Sequence, residues 1–319
     1  MKRAVVTGAS GFVGANLVRR LLDDGHEVHV LLRTEFKSWR LEEIHDRTGI
    51  HHVDITSIDA LESVMRSIRP DWIFHLAAHG AYPTQTDLDQ MMRTNVLGTA
   101  ALLSAALKVG FEAFLNTGSS SEYGLKDHAP AESEWLEPNS DYAVTKASAT
   151  LLCSHVGRST GAGIGTLRLY SVYGPWEEPS RLIPSLALRG LDGGLPQLAQ
   201  PTTARDFIYV DDVLDAFVLA AEHVATDPGV VYNVGTGIQL TLAEVVGVAS
   251  EQLGIDVQPT WGTMGNRSWD TNVWVSDSGR LRSLGWSPKV PFERGFAEFV
   301  RWVASDEDRL AYYRLHAAK

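Results

Sequence analysis

Short apolar runs alternate with amphipathic segments through the first half of the chain. Residues 3–7 read Arg-Ala-Val-Val-Thr, a buried-strand pattern, and residues 12–24 carry Leu17, Val18, Leu21 and Leu22 at helical spacing. The same reading predicts strands at 27–32, 50–53, 72–76 and 113–117, and helices at 58–68 and 96–109. Alternation of this kind builds βαβ units, so the expected fold is α/β, a doubly wound parallel sheet with helices on both faces. After residue 169 the pattern loosens, because Pro175, Pro179, Pro184, Pro196 and Pro201 with Gly190, Gly193 and Gly194 break the chain into loops. Helical patterns return at 213–221, 242–253 and 292–303, and a strand at 230–234. The expected organisation is a main unit over residues 1–169 and a smaller α/β region over 170–319 that returns some strands to the main sheet.

Two helical segments, 96–109 and 143–156, are apolar on nearly all sides and must be buried from two directions. They belong either to the core of one chain or to an interface with a second copy, and the second reading predicts a homodimer. Hydrophobic residues make up 44% of the 319 residues and charged residues 21%, which excludes a disordered chain, a collagen-like rod and a coiled coil. The formal net charge of −11 argues against nucleic acid or an anionic membrane as partner. Cys153 alone cannot form an intramolecular disulfide and fits a reducing, cytoplasmic setting. The apolar run after Lys2-Arg3 is too short for a signal peptide, and no stretch approaches the roughly 18 apolar residues of a membrane span.

The first strand runs into Thr7-Gly8-Ala9-Ser10-Gly11-Phe12-Val13-Gly14 and then into a helix. In that context Gly8 permits a tight turn, Gly11 lets backbone approach a pyrophosphate and Gly14 lets the helix pack on the strand. The helix N-terminus offers free N–H groups to the anion. A purely structural glycine turn is the alternative. Further on, Tyr142 and Lys146 stand four residues apart at a helix start, on one face. An ammonium beside a phenol favours the phenolate and lowers its pKa from about 10. The strand at 113–117 ends in Gly118-Ser119-Ser120-Ser121-Glu122-Tyr123-Gly124, small hydroxyls where a doubly wound sheet holds its ligands. His51 and His52 point apart on a strand, so no metal site is expected, and Cys153 is expected in the core.

Together these segments resemble the extended short-chain dehydrogenase/reductase family, in its nucleotide-sugar branch. The resemblance runs essentially end to end, through Asp54-Ile55, His75-Leu76-Ala77-Ala78, Thr94-Asn95-Val96-Leu97-Gly98-Thr99, Leu167-Arg168-Leu169-Tyr170-Ser171-Val172-Tyr173-Gly174-Pro175, Arg205-Asp206-Phe207-Ile208-Tyr209-Val210-Asp211-Asp212, Asn233-Val234-Gly235 and Leu284-Gly285-Trp286. It implies a Rossmann dinucleotide-binding domain over 1–169 and a substrate region over 170–319. It also implies an enzyme, with Ser119 hydrogen-bonding the sugar oxygen, Tyr142 as acid/base and Lys146 holding the nicotinamide ribose. For the cofactor it implies Gly8, Ser10, Gly11, Phe12, Val13, Gly14, Asp54, Ile55, Leu76, Ala77, Ala78 and Asn95, beside Tyr142 and Lys146. For the nucleotide sugar it implies Arg205 on the pyrophosphate, Arg267 and Arg181 as further nucleotide contacts, and Ser120. Ser171 replaces the usual substrate-binding asparagine. Trp176, Trp269 and Trp274 are candidates for the sugar pocket border.

The resemblance also sorts reactions. The 4,6-dehydratases carry an acidic pair after the catalytic Ser/Thr, where this chain has Ser120 and Ser121, and Glu122 would point to the other side of a strand. The 3,5-epimerase/reductases use a cysteine there, which is also absent. Hydride transfer at C4 remains: a 4-ketoreductase, or as the alternative a 4-epimerase. A non-catalytic dinucleotide sensor is set aside by the Tyr142/Lys146 pair. The second strand ends at Arg33-Thr34, with Lys37 and Arg40 beyond and Glu35 opposing. An arginine there suits a 2′-phosphate. NADP(H) is therefore the favoured cofactor, with NAD(H) as the alternative, and reduction of a 4-keto sugar the favoured reaction.

Overall fold

The computed structural model describes residues 1–33, 39–82, 84–264 and 271–317. Strands β1 (Arg3–Thr7), β2 (Glu27–Leu32), β3 (Gly49–His52), β4 (Trp72–His75), β5 (Ala113–Ser119) and β6 (Ile164–Leu169) form one sheet, joined by β10 (Val230–Val234) from the later part of the chain. The short strands β7 (Ser171–Tyr173) and β9 (Phe207–Tyr209) pair with each other, as do β8 (Ala204–Arg205) and β11 (Leu240–Thr241). The helices are α1 (Phe12–Asp23), α2 (Ile58–Ile68), α3 (Leu88–Met91), α4 (Gly98–Val109), α5 (Asp141–Thr160), α6 (Leu182–Leu191), α7 (Val210–His223), α8 (Leu242–Leu253), α9 (Gly279–Arg282), α10 (Phe292–Ala304) and α11 (Glu307–Ala317).

The main sheet has the order β10-β6-β5-β4-β1-β2-β3, and every neighbouring pair is parallel. The chain winds outward from β1 to β3, then crosses to the other side of β1 at β4. The reversal lies between β1 and β4, where such a sheet opens a ligand crevice beyond its C-terminal strand ends. Side chains alternate between two cores, as the period of a strand requires. Ala4, Val6, Phe74, Leu115 and Leu167 pack on one face with Leu17, Leu21, Val213 and Phe217 of α1 and α7. Val5, Ile73, Phe114 and Ile164 pack on the other with Leu61, Met65, Leu102 and Cys153. A third core gathers Tyr173, Tyr209 and the buried faces of α6, α8, α10 and α11.

The elements predicted in the first half are present, with one difference. The helix expected at 96–109 begins earlier, as α3 followed by a π-helical turn over Met92–Leu97, and α4 starts at Gly98. Helices α6, α9 and α11 are additions. Pro184 reads as a breaker, yet it lies in the first turn of α6, where no intrahelical donor is needed. Helix α11 mixes polar and apolar residues around its axis, with Tyr313 buried and Leu310, Tyr312 and Ala317 partly buried against the third core. No helix among the described residues is long and apolar enough to cross a membrane.

Candidate active site

Backbone crowding dictates two of the three loop glycines. Gly8 has φ +67°, and a Cβ there would collide with the Leu76–Ala77 peptide, while a Cβ on Gly14 would collide with the Gly8 carbonyl. Gly11 differs: a Cβ would meet only the Gly8 oxygen at 3.2 Å. Gly11 caps α1 with no side-chain acceptor, so the first-turn N–H groups, from Phe12 and Val13 onward, are left for another partner. Ser10, Phe12 and Val13 are half-buried around this turn. An uncapped helix N-terminus at the reversal point fits the pyrophosphate of a dinucleotide.

Beneath the turn runs a directed chain of hydrogen bonds. Thr99 Oγ1 donates to the Asn95 carbonyl at 2.6 Å and contacts His75 Nε2 at 2.9 Å. His75 Nε2 is therefore the donor, so Nδ1 accepts from Thr7 Oγ1 at 2.7 Å. Thr7 Oγ1 in turn accepts from the Ala77 N–H at 3.2 Å. Complete burial holds His75 neutral, its pKa pushed down to about 3, with the Lys146 charge adding to the effect. Leu76, Ala77 and Ala78 leave β4 half-buried along the cleft.

Asn95 departs from the sequence expectation. Its Oδ1 accepts from the His79 N–H at 2.8 Å, and its Nδ2 donates to the His79 carbonyl at 2.8 Å and to Thr145 Oγ1 at 2.9 Å. With the residue 1% exposed, both arms are spent tying the loop after β4 to α5 rather than facing a cofactor. Asp54 is exposed, and hydrogen bonds from Thr56, aided by the Arg33 charge, hold its carboxyl below the usual range. Ile55 packs where Gly98 has no side chain.

Tyr142 and Lys146 occupy the first turns of α5, started by Ser140, whose hydroxyl accepts from the Ala143 N–H. Ser119 ends β5 near the Tyr142 hydroxyl and favours its phenolate. Ser121 adds a third hydroxyl, 2.7 Å from that of Ser119. The Tyr142 ring is half-buried, and its phenol is pushed up to about 12 by desolvation and then by the Glu122 charge, against Arg181 and Ser119. The net shift is thus upward rather than the expected lowering, because burial outweighs the charges that favour the phenolate. Burial depresses the Lys146 ammonium itself, and Glu122 is the chief charge opposing that depression.

Glu122 lies in a 3-10 turn (Ser120–Tyr123) rather than on a strand. Its Oε1 accepts from the Ser119 N–H at 2.8 Å and Thr150 Oγ1 at 3.0 Å, and its Oε2 from Arg168 Nε at 2.8 Å. Arg168 also donates to Tyr123 Oη at 2.7 Å. The carboxylate is fully buried and fully partnered, a strut under the serine turn rather than a base facing a sugar.

Around Tyr142 the structure gathers Arg181, which the sequence points to, with residues that it does not. Arg181 caps α6, 3.7 Å from Glu177 and 6.0 Å from the ring of Tyr82, and its charge reaches the Tyr142 phenol. Arg40 is buried and committed: it donates to the Trp176 carbonyl at 2.7 Å, the Ser10 carbonyl at 3.4 Å and Glu178 at 3.1 Å. Contrary to the expectation of a cation for a 2′-phosphate, it braces the phosphate loop from behind. Arg33 follows β2 and is exposed. Tyr82, Glu177 and the bracing role of Arg40 have no local signal, because only the third dimension brings their segments together.

On the substrate side, Ser120 lines a small cavity with Tyr123, Tyr170, Lys126 and Trp274. Arg205 stacks over Trp274 at 5.2 Å, and Ser171 begins β7, half-buried. Trp176 lies with Trp39, Trp302 and Arg19, in an aromatic cluster behind the cleft rather than at its border. Arg267 and Trp269, with Thr34, Glu35 and Lys37, lie outside the described residues. Among the described residues no three His, Cys, Asp or Glu side chains group to hold a metal.

Comparison with known proteins agrees with this geometry. Residues 4–235 match the family described as the NAD dependent epimerase/dehydratase family. The chain is 33% identical to a dTDP-glucose 4,6-dehydratase of Streptomyces griseus, covering 93% of each chain. It is 31% identical to a UDP-glucose 4-epimerase of Mycolicibacterium smegmatis, covering 94% of this chain and 98% of the relative. The crystal structure of a UDP-glucuronic acid 4-epimerase from Bacillus cereus, in complex with UDP-glucuronic acid and NAD, superposes with a TM-score of 0.84 at 26% identity, covering 95% and 99%. The chain also matches trifunctional nucleotide-sugar enzymes of Arabidopsis thaliana at 27% identity and spans about half, 48%, of their length.

Proposed function

The chain belongs to the NAD dependent epimerase/dehydratase family, and from that premise we propose that it is a nucleoside-diphosphate-hexose 4-epimerase working with NAD. The observation that carries this reading is the state of the serine turn. Elimination of water needs an acid and a base beside the Tyr/Lys pair. Positions 120 and 121 are serines, and the neighbouring Glu122 is locked to Arg168, Thr150 and the Ser119 N–H. A carboxylate held by three donors is a poor base. Removal and return of hydride at C4 needs neither group.

NAD at the Gly8–Gly14 turn would supply the hydride acceptor. In this reading Ser119 orients the sugar C4 oxygen and Tyr142 takes its proton, with Ser121 fixing the Ser119 rotor. Lys146, one turn along α5, holds the nicotinamide ribose. Arg181 and Arg205 bind the phosphates, with Ser120 and Ser171 on the sugar. The cost of making the Tyr142 phenolate is opposed by the Arg181 charge and by Ser119. The protein works as a homodimer through the α4–α5 face.

The test uses UDP-glucose and UDP-glucuronic acid as probes, with product sugars resolved by chromatography. The C4 epimer is expected to accumulate with no net change in nicotinamide absorbance. A second reading, the NADPH-dependent 4-ketoreductase, is favoured by one observation, the exposed Arg33 directly after β2. Stoichiometric oxidation of NADPH by a 4-keto-sugar nucleotide, lost in Arg33→Ala, would establish that reading instead.

A further inference from the structure

Glu177 is a buried acid beside the cleft that the proposed reaction leaves unused. It is 4% exposed, Oε1 lies 3.7 Å from Arg181 Nε, and Oε2 has no hydrogen-bond partner among the described residues. Its backbone is pinned from both sides: Tyr313 Oη donates to its carbonyl at 2.7 Å, and its own N–H donates to the Gly174 carbonyl at 3.2 Å. The preceding Trp176 has φ +70°, a left-handed conformation that a side-chain-bearing residue keeps only when its surroundings over-determine it. Those surroundings are present. The indole packs against Trp39 and Trp302, each at 5.1 Å, and under the Arg19 guanidinium at 4.0 Å, while Arg40 holds its carbonyl.

The groups facing this carboxyl are Arg181 from the start of α6, Glu178 in the same loop, Arg40 from the 3-10 helix over Trp39–Arg47, Tyr82 from the loop after β4, and Tyr313 from α11. Arg181 alone among the cations combines the direct approach with a half-exposed side chain. Its charge also acts on Tyr142, so one guanidinium is felt by both the buried acid and the Tyr142 phenol.

We propose that Glu177 is a positioning residue for Arg181: a neutral Glu177 carboxyl leaves Arg181 to the phosphates of a bound nucleotide sugar, and where the free protein holds that carboxyl ionised against Arg181 it takes up a proton from solvent as the ligand binds. The proposal rests on the nucleotide-sugar reading above. Burial pushes the Glu177 carboxyl up to about 8, opposed first by Arg181. Below that pH the acid is already neutral and Arg181 is available. Above it the free protein carries a Glu177–Arg181 pair, and binding has to be accompanied by proton uptake, so affinity falls by up to about tenfold per pH unit.

The experiment is titration calorimetry of the NAD-loaded protein with UDP, dTDP, GDP and CDP between pH 7.0 and 9.5, in buffers of different ionisation enthalpy. For the wild type, affinity for the accepted nucleotide should fall about tenfold from pH 8.5 to 9.5, with uptake of about one proton. Glu177→Gln should match the wild type near pH 7, hold its affinity to pH 9.5 and take up no proton. Arg181→Ala should bind more weakly at every pH, with the slope removed, which preserves the test if the glutamine variant folds poorly. Parallel pH profiles in wild type and Glu177→Gln would overturn the proposal while leaving the nucleotide-sugar reading intact. Failure of every nucleoside diphosphate to bind at any pH would overturn both.

Discussion

Tyr142 and Glu122 matter for different reasons, and substitution separates the two. Replacing Tyr142 with Phe removes the phenol beside Ser119 and leaves the phosphate turn untouched. Turnover is expected to fall about 10²-fold or more, the range for a lost acid/base, with NAD binding nearly unchanged by fluorescence titration. Glu122→Gln acts on the fold. It leaves the Arg168 guanidinium, 2% exposed, without its counter-charge, and chemical denaturation should show a loss of roughly 3–5 kcal/mol. A glutamine variant as stable as the wild type but inactive would instead make Glu122 a base and revive dehydration. Motif spacing makes the Tyr142/Lys146 pair legible as a candidate, and the family resemblance adds Ser119. Neither reveals Glu122 as a strut, because its partners Thr150 and Arg168 are 28 and 46 residues away.

Among the elements, the π turn and α5 decide most. The turn over Met92–Leu97 holds Asn95 at the one place where it reaches both His79 and Thr145, and Thr99 just beyond it closes on His75. An unfolded histidine takes a proton below about pH 6.5, whereas buried His75 resists it down to about 3. The His75 contribution to stability is thus complete above pH 6.5 and is lost progressively as pH falls toward 3, by at most about 5 kcal/mol. Thermal unfolding compared at pH 7.5 and pH 5 should show this loss in the wild type and a shallower one in His75→Gln. On α5, Ala143, Ala147 and Cys153 are buried, while Val144 at 44% and Leu151 at 61% exposure line an outer stripe at helical spacing. Met92 and Leu97, exposed near the start of α4, extend the apolar surface. A single chain leaves that surface in water, so Leu151→Arg should convert a dimer to a particle near 35 kDa by light scattering, with the secondary structure retained.

At the scale of the whole molecule, the sheet reversal between β1 and β4 brings the Gly8–Gly14 turn, Ala77 and the serine turn to one rim. Local patterning was enough for the order of strands and helices in the first half, since apolar period and glycine spacing are properties of neighbouring residues. It was also enough for the dinucleotide turn and the Tyr142/Lys146 pair, which lie four residues apart on one helix. Helix α11 escaped it because its apolar residues are spread around the axis with no periodic face, and Tyr313 acquires meaning only against the Glu177 carbonyl. Arg40 escaped it for a similar reason. From the sequence it counts as a free cation near a cofactor phosphate, and in the fold it is a buried brace between Ser10, Trp176 and Glu178. What the sequence by itself determined was therefore the frame, together with the candidates for chemistry that it carries. Which charges are free to meet a ligand, and which are spent on holding that frame, only tertiary packing decided, because a charge's partners and its exposure are set by segments far away in the chain.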